Sequence, residues 1–556
     1  MSANNIFESA QSKPIEKVFA SPGSIFRGTA FWSWNTRLDP KQLCRQIEVF
    51  KEMGLGGFHM HSRTGLDTPY LSDEYMDAVK TCVDKAENEE MIAWLYDEDR
   101  WPSGAAGGLV TKDDRYRGRH LLFTPFSYED RAGEESGNFS GARGCRTGNG
   151  QLLARYAVSL QGGRLADYRR LTEAEAVPAG YSVWYAYLEI SAKQPWFNNE
   201  SYVDTLNPRA IQRFVDVTHE RYKEVVGDRF GDIIPAIFTD EPQFPHKKCL
   251  ARPEDKRDVI LPFTDDFPDS FAKTYGADIL DSFPEIIWEL PEDKVSVARY
   301  QYHDHVAERF AAAFADTIGD WCAENGIALT GHLMEEPTLR SQAGALGEAM
   351  RSYRSFQLPG IDILCDRREY TTAKQAQSAA HQYGRNGVLS ELYGVTNWDF
   401  DFAGHKSQGD WQAALGVAVR VHHLSWVSMA GEAKRDYPAS ISYQSPWYKE
   451  YPIVEDHFAR VNSVLTRGNP HIRVGMIHPV ESYWLAFGPE SQTGTARKEL
   501  DQGFQQSTRW LVEGLIDFDY IAESLLPDLN SEQRGTQFAV GRMAYDAVVV
   551  PPMRTL

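Results

Sequence analysis

The sequence of 556 residues predicts an α/β fold, a (β/α)8 TIM barrel that carries a β-rich insertion after its third strand. Two observations support this prediction. Short apolar segments alternate with amphipathic helical segments from residue 28 onward, and eight such strand-plus-helix units precede residue 465. Alternation of this kind predicts a parallel sheet, and eight units can close into a barrel. The alternation breaks only between about 112 and 200, which predicts the insertion.

The first three strands are the most regular part of the pattern. TAFWSWN (29–35), GGFHMH (56–61) and MIAWLYDED (91–99) are apolar runs that end in polar residues. Asp39-Pro40 supplies an N-cap residue followed by proline at the first helical position, which predicts a helix after the first strand. Ser72 is the expected cap of the helix between the second and third strands.

Five further strands are predicted after the insertion, and Asn207-Pro208 is expected to cap the helix before them. A polar stretch with several prolines (245–295) separates the first two of these strands and is expected to form a lid or rim element. A long helix is predicted over 296–325. The five strands are IIPAIFTDEP (233–242), IALTGHLMEEP (327–337), GIDIL (360–364), NGVLSELYG (386–394) and LSWVSMAGE (424–432).

The pattern divides the chain into three parts. Residues 1–27 form an N-terminal extension, and 28–465 form the barrel with its insertion. Residues 466–556 contain two apolar strands around a long helix, which indicates the start of a doubly wound α/β domain. We expect this last part to be truncated, because a doubly wound sheet cannot close with so few strands.

Composition and charge restrict the classes of partner. The formal net charge is −20, which argues against nucleic acid and against an anionic membrane surface. Six cysteines without C-x-x-C spacing argue against a disulfide framework or a zinc site. The negative charge fits a protein that acts on a neutral substrate. The N-terminus lacks an apolar signal region and no long apolar run exists, so a cytoplasmic protein is expected. No pattern specifies an oligomeric state.

Candidate site residues are those at the C-terminal ends of the predicted strands, where barrels of this kind place their sites. Acids dominate this set, and aromatic residues come second. We predict that Glu241, after the fourth strand, and Glu391, in the seventh, are catalytic. The predicted substrate-binding residues are Trp34, His59, His61, Arg63, Asp97, Glu98, Arg100, Trp101, Asp240, His332, Glu335, Tyr393 and Trp426. Other strand-end residues are Tyr96, Glu336, Asp362, Asp366, Trp398 and Glu432.

Carboxylates next to aromatic residues suit glycoside hydrolysis. One carboxylic acid protonates the leaving oxygen, and the other attacks the anomeric carbon or activates water. The acid needs a raised pKa, which burial beside a second carboxylate supplies. Asp240 and Glu241 are adjacent, so in a regular strand their side chains point to opposite faces and only one faces the lumen. We favour Glu241 as the acid, with Asp240 orienting its neighbours.

Other interpretations of the same residues remain open at this point. Asp240-Glu241-Pro242 could be a solvated turn, and Glu335-Glu336 could cap a helix. His59 and His61 share one face of a strand and could bind a metal, as in a metal-dependent hydrolase or isomerase. The acids could also serve a non-catalytic carbohydrate-binding barrel as acceptors for sugar hydroxyls.

Three blocks carry a resemblance to a known family. GGFHMHSRTGLDTPYLSDEYMD, WLYDEDRWPSGAAGG and FTDEP resemble the corresponding blocks of glycoside hydrolase family 106, the α-L-rhamnosidases, over residues 28 to 460. The second block is specific, whereas FTDEP alone is not. The barrel followed by an amidotransferase-like α/β domain is also similar to family 42 β-galactosidases.

The two resemblances imply different chemistry on the same two residues. Family 106 implies inversion, with Glu241 and Glu391 as acid and base and a calcium ion among nearby carboxylates. Family 42 implies retention, with Glu241 as acid/base and Glu391 as nucleophile. Asp240-Glu241 stands where retaining families usually have Asn-Glu, which favours the rhamnosidase-like alternative. The sequence itself requires no cofactor, and a cytoplasmic protein would act on small glycosides or oligosaccharides.

Overall fold

The structure is a computed structural model that describes residues 5–130, 144–172, 174–365, 367–435, 437–530 and 535–556. Within these residues the strands form four sheets. The strands are β1 (Thr29–Trp34), β2 (Gly57–Ser62), β3 (Ile92–Tyr96), β4 (Arg119–Thr124), β5 (Gln151–Gln161), β6 (Arg164–Leu171), β7 (Ser182–Ile190), β8 (Ala236–Asp240), β9 (Val259–Pro262), β10 (Ala328–His332), β11 (Leu358–Ile363), β12 (Val388–Leu392), β13 (Val417–Trp426), β14 (Val474–His478), β15 (Phe518–Ala522), β16 (Phe538–Val540), β17 (Met543–Tyr545) and β18 (Ala547–Val549).

Eight of these strands close into a parallel barrel, in the order β1-β2-β3-β8-β10-β11-β12-β13 and back to β1. The predicted (β/α)8 fold is therefore confirmed. Helices surround the barrel and connect its strands. They are α1 (Glu8–Gln11), α2 (Ile15–Ala20), α3 (Pro40–Glu52), α4 (Asp73–Asn88), α5 (Pro208–Val217), α6 (His219–Val226), α7 (Phe267–Tyr275), α8 (Ile279–Ser282), α9 (Pro284–Ile287), α10 (Val297–Phe310), α11 (Thr317–Glu324), α12 (Leu339–Ala345), α13 (Ala349–Tyr353), α14 (Tyr370–Gln382), α15 (Phe402–Ala414), α16 (Pro452–Leu465), α17 (Val480–Leu485), α18 (Glu490–Glu513) and α19 (Leu526–Leu529).

The predicted helix caps are present as hydrogen bonds. The Asp39 carboxylate accepts from the Lys41 N–H, and the Ser72 hydroxyl accepts from the Tyr75 N–H. Asn207 caps α5 in the same way, with proline at the first helical position. Each cap satisfies an N–H that the helix itself leaves unpaired.

The eighth barrel strand lies earlier than the sequence predicted. β13 covers Val417–Trp426 rather than 424–432, and Glu432 lies in an exposed 3-10 turn beyond it. The prediction was shifted because the first half of β13 contains polar residues that are unusual in a buried strand. Arg420 and His422 point outward from the barrel, where they are buried against Glu455 of α16 at 2.7 Å and 3.4 Å. A charged residue paired in this way can occupy a buried strand.

The insertion forms a five-stranded antiparallel sheet with the order β6-β5-β7-β4-β9. Its last strand, β9, lies in the stretch 245–295, for which the sequence predicts a lid or rim element. Part of that stretch therefore completes the insertion sheet. The long helix predicted over 296–325 is α10 and α11 joined by a π-helical segment, Ala311–Asp316.

The C-terminal part contains a parallel sheet, β15-β14-β18, and a hairpin of β16 and β17. The helix α18 packs on this sheet through Leu500 and Phe504. In the described part of the chain, every helix is too short or too polar to span a bilayer.

Candidate active site

An aromatic layer fills the barrel lumen below the strand ends. The Phe31 ring stacks on His61 with ring centroids 4.2 Å apart and lies 5.3 Å from Phe238. His59 stacks on Trp94 at 5.1 Å. Burial lowers the pKa of both histidines well below the usual range, so both rings are neutral. His59 and His61 therefore form the floor beneath the site rather than part of its charged cluster.

Acids and histidines from neighbouring strand ends meet above this floor. The His332 Nε2 atom lies 2.8 Å from Glu391 Oε2 and 3.7 Å from Asp240 Oδ1. His423 approaches the other Glu391 oxygen at 3.6 Å. Ligand atoms of Glu241, His332 and Asp362 all lie within 4.8 Å of one another. The two predicted catalytic glutamates thus share His332 as a neighbour.

Strand register brings these side chains together. His332 of β10 is paired with Asp240 of β8, and Asp362 of β11 is paired with Glu391 of β12. Parallel strands end at the same edge of the barrel, so paired residues of equal orientation point to one place.

Glu241 joins the cluster because the strand does not continue regularly through it. Its φ angle is 45°, a left-handed conformation, and its N–H donates to the His332 carbonyl at 3.2 Å. The expectation that Asp240 and Glu241 face opposite sides assumed a regular strand. The turn in the backbone instead directs both carboxyl groups toward His332. Non-glycine residues in this conformation cost about 1–3 kcal/mol and concentrate at functional sites.

The environment pushes the pKa values of the two glutamates apart. Burial raises the pKa of Glu241 to about 8, and the charge of Asp240 adds to the rise. Burial also acts against ionisation of Glu391, but the His332 hydrogen bond and the charge of His423 outweigh it, so the pKa of Glu391 is lowered. Two carboxyl groups separated in this way suit opposite roles in acid–base chemistry.

The other members of the cluster hold this charge pattern in place. Burial raises the pKa of Asp240 to about 6, and Tyr96 donates its hydroxyl proton to Asp240 at 2.7 Å. Burial raises the pKa of Asp362 well above its usual range, with Glu391 adding to the rise. Burial opposes a charge on His332, but the bond to Glu391 and the charge of Asp240 raise its pKa well above 6.5. His332 is therefore an imidazolium between acids.

Asp97 and Glu98 order a loop next to the cluster. Glu98 accepts hydrogen bonds from five backbone N–H groups, those of Asp99 and of residues 104 to 107. Asp97 accepts from the Ser103 hydroxyl at 2.6 Å. Both side chains were predicted to hold sugar. Their hydrogen bonds show that they hold the loop that follows β3.

Glu98→Gln is expected to lower the free energy of unfolding by about 1–3 kcal/mol, because the amide replaces one acceptor oxygen with a donor and leaves buried N–H groups unpaired. Denaturant unfolding measures this change. The control is Glu335→Gln, since Glu335 is exposed. Weaker sugar binding by Glu98→Gln at unchanged stability would show that Glu98 contacts the sugar instead.

Three predicted residues form the rim beside this loop. The Arg63 guanidinium lies 5.1 Å from the centre of the Trp101 ring. Arg100 pairs with Asp99 at 3.2 Å and lies over Trp196. Arg63 and Arg100 line a cavity of about 230 Å³. Their contact with a substrate stays a prediction.

Trp426 lies at the mouth, where β13 ends. It is the register partner of Ser33 in β1, and its ring lies 6.2 Å from that of Trp398. Trp398 is 38% exposed, so an aromatic face is open to solvent next to Trp426. Aromatic faces of this kind provide stacking surfaces for rings.

Three predicted residues lie away from the cluster. Trp34 points out of the barrel and packs against Tyr75 of α4 at 5.4 Å. The Tyr393 hydroxyl donates to the His405 carbonyl in α15, so this side chain is part of the helix layer. Glu335 is exposed and lines a separate cavity, whereas its neighbour Glu336 is buried.

Tyr96, Asp362 and His423 belong to the cluster but were not among the predicted site residues. Tyr96 and Asp362 lie at predicted strand ends, and this position is the feature of the sequence that could have identified them as site residues. His423 was missed because the eighth strand was placed to start after it. Asp366, another strand-end candidate, lies outside the described residues.

The resemblance to family 106 implies a calcium ion among these acids. Both metal-compatible sets in the described part of the chain contain His332, with Asp240 and Glu391 in one and Glu241 and Asp362 in the other. Calcium takes six to eight oxygen ligands. His332 instead supplies a nitrogen and a positive charge at the centre of the acids. These residues do not fit calcium.

Comparison with known proteins shows which fold this geometry belongs to. No family model and no curated protein matches the chain. The structure is similar to a rhamnosidase from Novosphingobium sp. PP1Y, with a TM-score of 0.68 and 14% identity over 97% of this chain and 67% of that one. The chain has the barrel fold of a glycoside hydrolase.

Two β-galactosidases share the fold at lower similarity. Gan42B, a GH42 β-galactosidase from G. stearothermophilus, matches with a TM-score of 0.51 and 12% identity over 90% of this chain and 66% of that one. A β-galactosidase from Halorubrum lacusprofundi matches with a TM-score of 0.51 and 12% identity over 94% and 68%. The chain therefore spans about two thirds of the length of these proteins.

Proposed function

We propose that the protein is a glycoside hydrolase that releases a terminal sugar from a small glycoside or oligosaccharide, with α-L-rhamnosidase-like activity. One observation carries the proposal. Glu241 and Glu391 are gathered around one imidazolium, and their environment raises the pKa of the first to about 8 and lowers that of the second. This is the arrangement that a carboxyl pair needs at a glycosidic bond.

Glu241 acts as the general acid. It gives its proton to the glycosidic oxygen as the bond between that oxygen and the anomeric carbon breaks. Glu391 stays ionised because His332 and His423 face its two oxygens. In an inverting reaction Glu391 takes a proton from the water that attacks the anomeric carbon. In a retaining reaction it bonds to that carbon, and water activated by Glu241 then releases the sugar.

The two stereochemical outcomes correspond to the two candidate activities. The Asp240-Glu241 sequence favours the rhamnosidase-like, inverting alternative, and the shared fold with β-galactosidases keeps retention as the second. The test uses 4-nitrophenyl α-L-rhamnoside and 4-nitrophenyl β-D-galactoside, with NMR of the first anomer released. We expect turnover of the rhamnoside with inversion. Tight binding of either sugar without turnover by the wild-type protein would contradict a catalytic role.

Activity is expected to follow a bell-shaped pH profile of kcat/KM. It rises with pH as Glu391 ionises, below pH 4.5 because its pKa is lowered. It falls near pH 8 as Glu241 loses the proton that the leaving group needs. Initial rates measured at constant ionic strength between about pH 3 and 10 cover the titration of both Glu391 and Glu241 and therefore define both limbs.

His332→Gln provides the control for this profile. His332 lowers the pKa of both glutamates, so its removal is expected to move both limbs toward higher pH. A lower rate with an unshifted profile would show that His332 only supports the structure.

A further inference from the structure

A second cavity lies outside the carboxylate cluster, between the segment after β8, helix α12 and the C-terminal part of the chain. Its volume is about 740 Å³, within the range of small-molecule sites. Five basic side chains line it: Lys247, Lys248, Arg257, Arg340 and Arg497.

Most of these basic side chains lack a close carboxylate partner. Among the described residues, the only carboxylate partner within 4.0 Å of these five side chains is Glu490, which pairs with Arg497. Asp258 also lines the cavity, but it pairs with Arg146. Within the described residues, Lys247, Lys248, Arg257 and Arg340 have no carboxylate within 4.0 Å, although the Asp501 carboxylate interacts with the charge of Arg340. Three carboxylates, those of Asp258, Glu335 and Glu490, also line the cavity, so basic side chains outnumber acidic ones there.

Lys247 gives the cavity its most specific feature. Its Nζ atom donates to Nδ1 of His303 at 2.8 Å and lies 5.2 Å and 5.9 Å from the ring centres of Phe244 and Tyr302. Burial lowers the pKa of both Lys247 and His303 well below their usual values. An amine enclosed by rings and a neutral imidazole is costly to charge unless an anion joins it.

We propose that this cavity binds an oxyanion group, a sulfate, phosphate or carboxylate on a sugar-sized polar molecule, with Lys247 and Arg340 as its main contacts. Charge-assisted hydrogen bonds of lysine and arginine to such groups are the strong class of hydrogen bond. Ser341, which also lines the cavity, offers a neutral donor.

The cavity adjoins the proposed active site. Its wall includes Glu335, next to the buried Glu336, whose charge acts on Glu241. It also includes His246, which bonds Gln243 two residues beyond Glu241. The oxyanion therefore belongs either to the substrate, beyond the bond that is cleaved, or to a separate small molecule. The binding site itself does not depend on the proposed function.

The test is calorimetric titration with inorganic phosphate and with sulfate, at ionic strength held constant with potassium chloride. Wild-type protein is expected to bind one phosphate or sulfate saturably. Lys247→Met and Arg340→Gln are each expected to weaken this binding about tenfold, the loss of one charge-assisted hydrogen bond. Lys41→Gln, at an exposed lysine outside the cavity, is expected to change nothing.

Thermal unfolding separates binding from a structural role of Lys247. In phosphate-free buffer Lys247→Met loses the hydrogen bond to His303 but also a buried amine. Its unfolding temperature should therefore stay close to the wild-type value, and phosphate should no longer stabilise it. Absence of saturable binding, or equal weakening by Lys41→Gln, would overturn the proposal.

Kinetics distinguish the two sources of the oxyanion. If the group belongs to the substrate, phosphate raises KM for a sulfated glycoside and leaves a neutral glycoside unaffected. If it belongs to a separate molecule, phosphate changes the kinetics of both glycosides alike. Phosphate binding without any turnover would contradict the proposed hydrolase activity alone and leave the oxyanion site supported.

Discussion

Glu391→Gln is expected to lower kcat by about 10³-fold or more, at the upper end of the range for loss of a general base. Glutamine cannot accept the proton of the attacking water or bond to the anomeric carbon. It also removes the carboxylate that His332 contacts at 2.8 Å, so the positive charge of that ring loses its nearest partner. Steady-state kinetics on the glycoside that the wild-type protein cleaves measure the loss.

Glu52→Gln is the matched control, because Glu52 is exposed at the end of α3, at the opposite end of the barrel from the cluster. It is expected to keep the wild-type kcat. Unfolding temperatures of both variants show whether the fold is intact. A Glu391→Gln protein that is folded and retains wild-type kcat would remove Glu391 from the mechanism.

Glu455→Gln is expected to destabilise the barrel by about 3–5 kcal/mol, the cost of breaking a buried ion pair on one side. The Glu455 side chain is fully buried, pairs with Arg420 at 2.7 Å, and accepts the Gly28 N–H at 2.7 Å. The neutral amide leaves the Arg420 charge buried without a carboxylate. Denaturant unfolding at pH 7 measures the change.

Two further variants test this explanation. Arg420→Met combined with Glu455→Leu removes both charges and should recover much of the stability, since a buried pair and an apolar pair of similar volume are often equivalent. Arg115→Gln breaks an exposed pair with Asp113 and should have no measurable effect. If Glu455→Gln is as stable as the wild-type protein, the ion pair does not anchor β13 to α16.

The barrel could be predicted from the sequence because its strands and helices differ in period and in their capping residues. The caps Asp39, Ser72 and Asn207 and the apolar runs of seven strands are local signals. Asp240, Glu241, His332 and Glu391 could be predicted as site residues because they lie at strand ends, and parallel strands end together at one edge of the barrel. The structure places all four around one centre.

The eighth strand was misplaced because its buried polar residues have distant partners. Arg420 and His422 resemble loop residues until Glu455, more than thirty positions later, is placed against them. The same error concealed His423, which faces Glu391. Tertiary contacts of this kind override local patterns and leave no trace in a short segment.

Side-chain direction was the second thing that the sequence could not supply. Trp34 faces the helix layer, and Glu98 turns to the backbone of its own loop. Glu241 reaches the cluster through a left-handed backbone at a non-glycine residue. Neither composition nor spacing specifies a conformation that surrounding contacts impose.

The most direct test of the central claim, that Glu241 is the proton donor, compares two leaving groups in Glu241→Gln and in the wild-type protein. A 2,4-dinitrophenyl glycoside needs no protonation to depart, whereas a 4-methylphenyl glycoside does. We predict that Glu241→Gln cleaves the first at nearly the wild-type kcat/KM and the second about 10²–10⁴-fold more slowly, the range for loss of a general acid. An equal change in kcat/KM for both glycosides would contradict the assignment of Glu241 as the acid.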